Sequence, residues 1–350
     1  MTARRSHMTD RPRQPASVDV LSEVLRAVRL RGAVFYSVTA STPWVAETPH
    51  ARELAPYVMP GAEHVIHYHV MTSGSCWAGQ IGEPAVRLEE GDIIVFPQGD
   101  AHVLGSAAGM RGPDELSVHE RAALERLPIS IDQGGSGRDP VHVICGFLAC
   151  DARPFNPLLT ALPRLLHVKR RDGADADMLD YFMSTALAEA RSPRAGGEVV
   201  LARLSELMFV EVVRRYVGSL DPQCPGWLSG LRDEIVGRAL AALHARPSSP
   251  WTLEELAREA GASRSALAER FVDYVGVPPM QYLAQWRMQL AASLLAGPTT
   301  IAQIASDVGY GSEAAFSRAF KKIVGVSPAT WRAAPSTPVS PSKRSKDSRR

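Results

Sequence analysis

Apolar positions along this chain follow two different periods. Between residues 33 and 149 they gather in short runs, at 33–39, 64–72, 75–79, 92–96 and 141–149, rich in Val, Ile and aromatics and separated by Gly, Pro and Ser. That punctuation predicts short antiparallel strands closing into a sandwich or small barrel. Ahead of them Val20, Val24, Ala27 and Val28 recur at helical spacing before Gly32, which predicts a lead-in helix over 19–30. Residues 105–140 are polar, end in Gln133-Gly134-Gly135-Ser136-Gly137, and read as an excursion with a helical patch around 119–127. From Pro157 the strand signal stops, and 178–191 and 198–217 read as helices. The second is apolar along Val199, Val200, Leu204, Leu207, Met208 and Val212, a wider stripe than one isolated helix face needs. Packing onto the β-domain and a seam between two copies would each explain that width. Residues 220–230, with Pro222, Pro225 and two glycines, read as a linker. Beyond them the pattern is helical.

Within the helical part the chain repeats itself. T-L-E-E-L-A-R-E-A-G from Thr252 matches T-I-A-Q-I-A-S-D-V-G from Thr300 at an offset of 48, and Leu267/Phe316 through Tyr282/Trp331 match at 49. One residue is added in the turn. A unit used twice with this punctuation predicts two helix-turn-helix motifs. Thr252 with Glu255 and Thr300 with Gln303 are capping boxes. Ala257 and Ala305 allow close helix crossing, Gly261 and Gly309 supply the left-handed turn residue, and Ser263 and Ser312 cap the second helices. Leu267/Phe271 and Phe316/Phe320 face the core. The opposite face then carries Ser265, Ala268, Glu269 and Val272 in one copy and Ala314, Ser317, Arg318 and Lys321 in the other. A helix over 279–296, about 27 Å long at 1.5 Å per residue, joins the copies and can place them in successive major-groove segments about 34 Å apart.

Charge sharpens this reading. Residues 1–227 carry 23 Lys+Arg against 27 Asp+Glu, 228–334 carry 11 against 9, and 335–350 carry 5 against 1, so the overall +2 conceals basic character beside the repeat. Arg318 can take guanine bidentately, whereas Glu269 can only accept, as from cytosine N4. Arg264, Arg270, Arg287, Lys321 and Lys322 are candidates for phosphates. No run of 18 apolar residues and no signal-peptide core occurs, and the four cysteines, Cys76, Cys145, Cys150 and Cys224, lack C-x-x-C spacing. These features predict a cytoplasmic protein with no membrane association.

Residues 231–332 resemble the AraC/XylS family of transcription regulators, most closely along I-A-Q-I-A-S-D-V-G-Y-G-S-E-A-A-F-S-R-A-F-K-K-I-V-G-V-S-P-A-T-W-R. The family's usual Phe is Tyr310 here. Residue by residue, the resemblance implies base contacts from Ser265, Ala268 and Glu269, then Ala314, Ala315 and Arg318. Further upstream, Gly91-x5-Pro97-x-Gly99-x2-His102 and His67-x-His69 resemble the two cupin motifs, and Ser75-Cys76-Trp77, Cys145-Gly146 and Leu165-Leu166-His167-Val168 resemble the sensor domain of some AraC-like regulators.

The expected fold is therefore α+β and multidomain: a disordered start (1–17), a cupin-like β-barrel with appended helices for effector sensing and dimerisation (18–219), a linker (220–230), an all-α double helix-turn-helix domain (231–332) and a basic disordered tail (333–350). The expected function is that of a transcription activator, not an enzyme, with double-stranded DNA, RNA polymerase, a small-molecule effector and a second copy as partners. His67, His69, Trp77 and His102 are the candidate effector pocket. His67, His69 and His102 could also offer imidazoles to a metal, but Ser73 and Gly74 stand where a catalytic cupin has its carboxylate, so no cofactor is expected. A metal-dependent cupin enzyme fused to a DNA-binding domain and a sulfur-based oxidant sensor using Cys76 and Cys145 are the alternatives.

Overall fold

The computed structural model describes residues 18–333 apart from 114, 115, 117, 118, 120–128, 171–177, 193, 222 and 223. The expected disordered start lies outside them, as do all but the first residues of the helical patch and the basic tail. Helix α1 (Val20–Ala27) is capped by Asp19, whose carboxylate accepts from the Ser22 amide at 3.2 Å. Strands β1 (Arg31–Thr42), β2 (Val45–Thr48), β3 (His64–Ser73), β4 (Cys76–Gln80), β5 (Val86–Leu88), β6 (Ile93–Phe96), β7 (His102–Gly105), β8 (Ile129–Gln133) and β9 (Arg138–Cys150) follow, with α2 (Ala51–Val58) after β2. The predicted strands are all present. Those missed, β2, β5, β7, β8 and, beyond the expected end of the strand signal at Pro157, β10 (Leu166–Val168), have five residues or fewer and lack the unbroken apolar run that marks β6.

The strands form two facing sheets, one ordered β10-β6-β3-β9-β1-β8 and the other β2-β7-β4-β5, where β10 is Leu166–Val168. Pairing is antiparallel except for β1 with β8, which run parallel, against the all-antiparallel expectation. β3 is buried on both faces, as the middle strand of a doubly covered sheet must be. Val65 and Met71 point between the sheets, with His67 and His69 in the same alternation, while Ile66, Tyr68 and Val70 join the outer core. That outer face is covered by α3 (Pro157–Ala161), α4 (Met178–Arg191) and α5 (Gly197–Ser219). α5 buries Leu201, Leu204, Met208, Phe209, Val212 and Val213, yet leaves Val199, Val200 and Leu207 between 42% and 63% exposed. One helix thus carries a packed face and an uncovered apolar face.

The remaining helices are α6 (Trp227–Gly230), α7 (Glu234–Ala245), α8 (Leu253–Ala260), α9 (Arg264–Val275), α10 (Pro279–Leu295), α11 (Ile301–Asp307), α12 (Glu313–Val324) and α13 (Pro328–Ala333). The expected linker is shorter than predicted, because its last four residues form α6 and bury Trp227 and Leu228 against the helical core. α10 serves two cores, with Tyr282, Leu283 and Trp286 in one and Met288, Ala291 and Leu295 in the other. It is the shared spine of both helix pairs.

Candidate nucleic-acid interface and sensor cavity

Each helix-turn-helix unit is set by its caps. Thr252 and Glu255 form the full reciprocal box, with the Thr252 hydroxyl accepting from the Glu255 amide and the Glu255 carboxylate accepting from the Thr252 amide. The second box is only half made. Thr300 accepts from the Gln303 amide, but the Gln303 side chain donates to Asp307 at 2.7 Å instead of turning back. Gly261 and Gly309 have φ of +69° and +84°, in the left-handed region a β-carbon disfavours. A β-carbon on Gly309 would also sit 2.4 Å from the Ser248 carbonyl oxygen, so the second turn packs directly on the backbone of the loop that follows α7. Ser263 and Ser312 accept from the Ala266 and Ala315 amides, as capping requires.

These caps present the reading faces outward. Leu267, Phe271, Phe316 and Phe320 are fully buried, whereas Ser265, Glu269, Ala314 and Arg318 are exposed and Ala268, Ala315 and Ser317 half-exposed. Helical periodicity thus separates the outward face of each helix from its core face. The candidate phosphate ligands fare differently. Lys321 and Lys322 are exposed on the last turn of α12. Arg264 lies 2.6 Å from Glu254, an exposed pair that exchanges readily for another anion. Arg270 is held by Asp233 through both carboxylate oxygens, with Asp233 itself half-buried and capping α7. That guanidinium is already a tie between α9 and α7.

Arg287 departs from expectation altogether. Its Nε donates to the Pro247 carbonyl at 2.7 Å, its Nη2 to the Ser249 carbonyl at 2.8 Å, and the guanidinium lies 5.7 Å from the Tyr310 ring centroid. It braces α10 against the loop after α7 and against the second turn, with two of its five N–H donors spent on those carbonyls. Tyr310, where the family usually has Phe, is the ring it rests on. No local pattern signals this, since the carbonyls lie 40 and 38 residues away.

In the β-domain a cavity of about 60 Å³ opens between the sheets, walled by residues that include Tyr36, Trp44, Glu47, His67, His69 and His119. Of the expected pocket residues His67 and His69 line it; His102 stands behind them and half-buried Trp77 is not in the wall. Trp44 takes the aromatic place instead, brought in by the β1–β2 turn that sequence reading missed. His119 joins from the polar excursion, its Nδ1 2.5 Å from the Tyr36 hydroxyl. Burial holds the imidazoles neutral: His67 and His69 lie well below the usual histidine range, and His102 and His119 fall to about 4.

The three histidines do not fit a metal centre as they stand. His69 Nε2 and His102 Nε2 are 2.7 Å apart, which is a hydrogen bond, whereas two nitrogens on one tetrahedral zinc are about 3.3 Å apart. Among the described residues no group of three or more His, Cys, Asp or Glu is placed to hold a metal ion. The thiols also differ from the sensor expectation. Burial pushes Cys76 up to about 12 and raises Cys145 as well, and the Cys76 thiol faces the Met71 sulfur at 3.5 Å. A reactive thiolate needs the opposite surroundings.

Comparison with known proteins agrees with this division. A cupin family model matches residues 19–218 and a helix-turn-helix domain model matches 256–334. A putative AraC-like transcription regulator of Streptomyces lividans is 32% identical over 92% of this chain and 100% of its own. The HTH-type transcriptional regulator AlkR of Acinetobacter baylyi is 29% identical over 90% of this chain and 99% of its own. Among solved structures, the C-terminal domain of AraT, a response regulator from Geobacillus stearothermophilus, is 35% identical over 29% of this chain and 84% of that one, at a TM-score of 0.28. With a cupin-type sensor domain and a helix-turn-helix DNA-binding domain in one polypeptide, the chain belongs to the AraC-like family of transcription regulators.

Proposed function

We propose that the chain reads one asymmetric DNA site per copy with α9 and α12, and that a small molecule in the β-domain cavity sets its affinity for that site. The observation that carries this reading is the pairing of two outward, capped helix faces with a cavity lined by unpartnered polar atoms elsewhere in the same chain. Ser265, Ala268 and Glu269, then Ala314, Ala315 and Arg318, are the base-reading set; Arg264, Lys321 and Lys322 meet phosphates. An effector acts only through a difference in its affinity for two arrangements of the protein. No covalent step is required, and the relatives' being transcription regulators by name supports a non-enzymatic role. The protein acts in the cytoplasm as an activator contacting RNA polymerase. The test is to map the sites it occupies in cells and measure its affinity for them with and without metabolites of the neighbouring genes' products. Affinity that no such compound changes overturns the sensing half; equal affinity for mapped and random DNA overturns the reading half.

A second copy completes the regulator. Val199, Val200 and Leu207 fall within about 100° of α5's circumference, and all three are exposed. An apolar helix face left open in this way marks an association surface. Leu207→Glu is expected to raise the dimer dissociation constant about tenfold, read by analytical ultracentrifugation; unchanged self-association would place the seam elsewhere.

A further inference from the structure

The cavity wall contains polar atoms whose hydrogen-bonding state can be worked out. His102 Nδ1 is 2.8 Å from the Asp100 carbonyl, which can only accept, so Nδ1 carries the hydrogen and Nε2 a lone pair. His69 Nε2, 2.7 Å from that lone pair, is therefore the donor. This leaves His69 Nδ1 an acceptor, and it has no partner. His67 Nδ1 lies 3.5 Å from the hydrogen-bearing His102 Nδ1, so its own hydrogen belongs on Nε2, which also has no partner. Trp44 Nε1 is a third unpartnered donor. His67, His69 and Trp44 are 1%, 5% and 5% exposed, and all three line the cavity. A buried polar group in this state is destabilising unless something enters to meet it.

The rest of the wall limits what can enter. Val38, Leu104, Ile131, Val143 and Phe147 are apolar, and among the described residues no lysine or arginine lines the cavity. The one carboxylate among the described lining residues, Glu47, is already bound by Arg111 at 2.8 and 2.6 Å and by the Gly112 amide. A carboxylate or phosphate ligand would lose its hydration without gaining a cation, and an ammonium ligand would find Glu47 taken.

We infer that the cavity binds a small uncharged molecule, mostly apolar, whose hydroxyl group accepts from the N–H groups of His67 and Trp44 and donates to His69 Nδ1. A hydroxyl is the simplest group that does both; a ketone or aldehyde leaves His69 unmet. This inference rests on the cavity being the effector site proposed above.

The test uses the full-length protein and two sets of shape-matched probes, benzyl alcohol with toluene and benzoate, and cyclopentanol with cyclopentanecarboxylate, titrated by ligand-observed NMR. Each alcohol is expected to bind about threefold to tenfold more tightly than its hydrocarbon or carboxylate counterpart. Trp44→Phe, which keeps the ring and removes the N–H, and His69→Leu are expected to lose that advantage; the thermal melt of each variant shows that it is folded, and Trp44→Phe alone suffices if His69→Leu is not. Carboxylates binding as well as alcohols, alcohols binding Trp44→Phe as well as wild type, no binding by either alcohol, or stoichiometric metal bound to the histidines overturns the inference. Operator affinity is measured separately. Alcohol binding without any change in DNA affinity sinks the regulatory reading and leaves the ligand class standing; metabolite-dependent DNA affinity without alcohol binding does the reverse.

Discussion

Arg318→Ala is expected to weaken binding to the protein's mapped DNA sites about tenfold to a hundredfold while leaving its affinity for random duplex nearly unchanged. The side chain stands exposed on α12, opposite Phe316 and Phe320, which are completely buried and fix the helix's rotation. Ser312 caps the helix through the Ala315 amide, so the reading face is fixed at its start as well. A guanidinium so placed offers two parallel donors to guanine O6 and N7, which none of Ser265, Ala268, Glu269, Ala314 and Ala315 can. Glu269, its nearest functional counterpart on α9, can accept only. Lys322→Ala is the control, because a phosphate contact weakens all sequences alike and reduces the salt slope by about one. Quantitative mobility shifts on mapped and scrambled duplexes at several salt concentrations separate the two. Equal losses on both DNAs for Arg318→Ala would remove its base-reading role.

What could be read from the sequence was what local chemistry dictates. Caps, left-handed glycines and i, i+4 apolar pairs act within a few residues, so both helix-turn-helix units and their faces were legible, down to Ser263 and Ser312. Strand alternation likewise put His67 and His69 on one face. The misreadings share one cause, which is dependence on distant partners. Arg287 looked like a phosphate ligand because Pro247, Ser249 and Tyr310 meet it only in the folded chain. Trp44 and His119 reach the cavity from a turn and an excursion without periodicity, while Trp77, on a recognisable strand, does not line it. Gln303 satisfied its sequence rule and then bonded Asp307 instead.

Gln289 was invisible for the same reason, and it is where the two halves of the protein meet. It lies on α10 and is completely buried, a position where an unpaired amide would be costly. Its Oε1 accepts from the Phe155 amide at 3.1 Å, its Nε2 donates to the Ala27 carbonyl at 3.1 Å, and the Ser293 hydroxyl donates to the same carbonyl at 3.0 Å. Both backbone partners continue into the cavity wall. Ala27 ends α1, just before β1, which supplies Tyr36 and Val38; Phe155 follows β9, which supplies Val143, Cys145 and Phe147. Arg29 and Asp151 pair at 2.6 Å beside this junction, and the Asp151 amide donates to the Val28 carbonyl, so the two strand ends move together. One apolar core also runs unbroken from the sheet through α1 and α6 to Tyr282 and Trp286 of α10. Sensor and DNA-binding domain should therefore unfold as one unit. Gln289→Met keeps the volume but strands the Phe155 amide and half-strands the Ala27 carbonyl, at a cost of about 1–3 kcal/mol. Chemical denaturation is expected to show one transition in the wild type, shifted to lower denaturant in Gln289→Met and less so in Ser293→Ala, whose hydroxyl shares its acceptor. Were Gln289→Met as stable as the wild type, or the two domains to unfold separately with no substitution at all, the junction would not be what holds the β-domain and the helical domain in one cooperative unit.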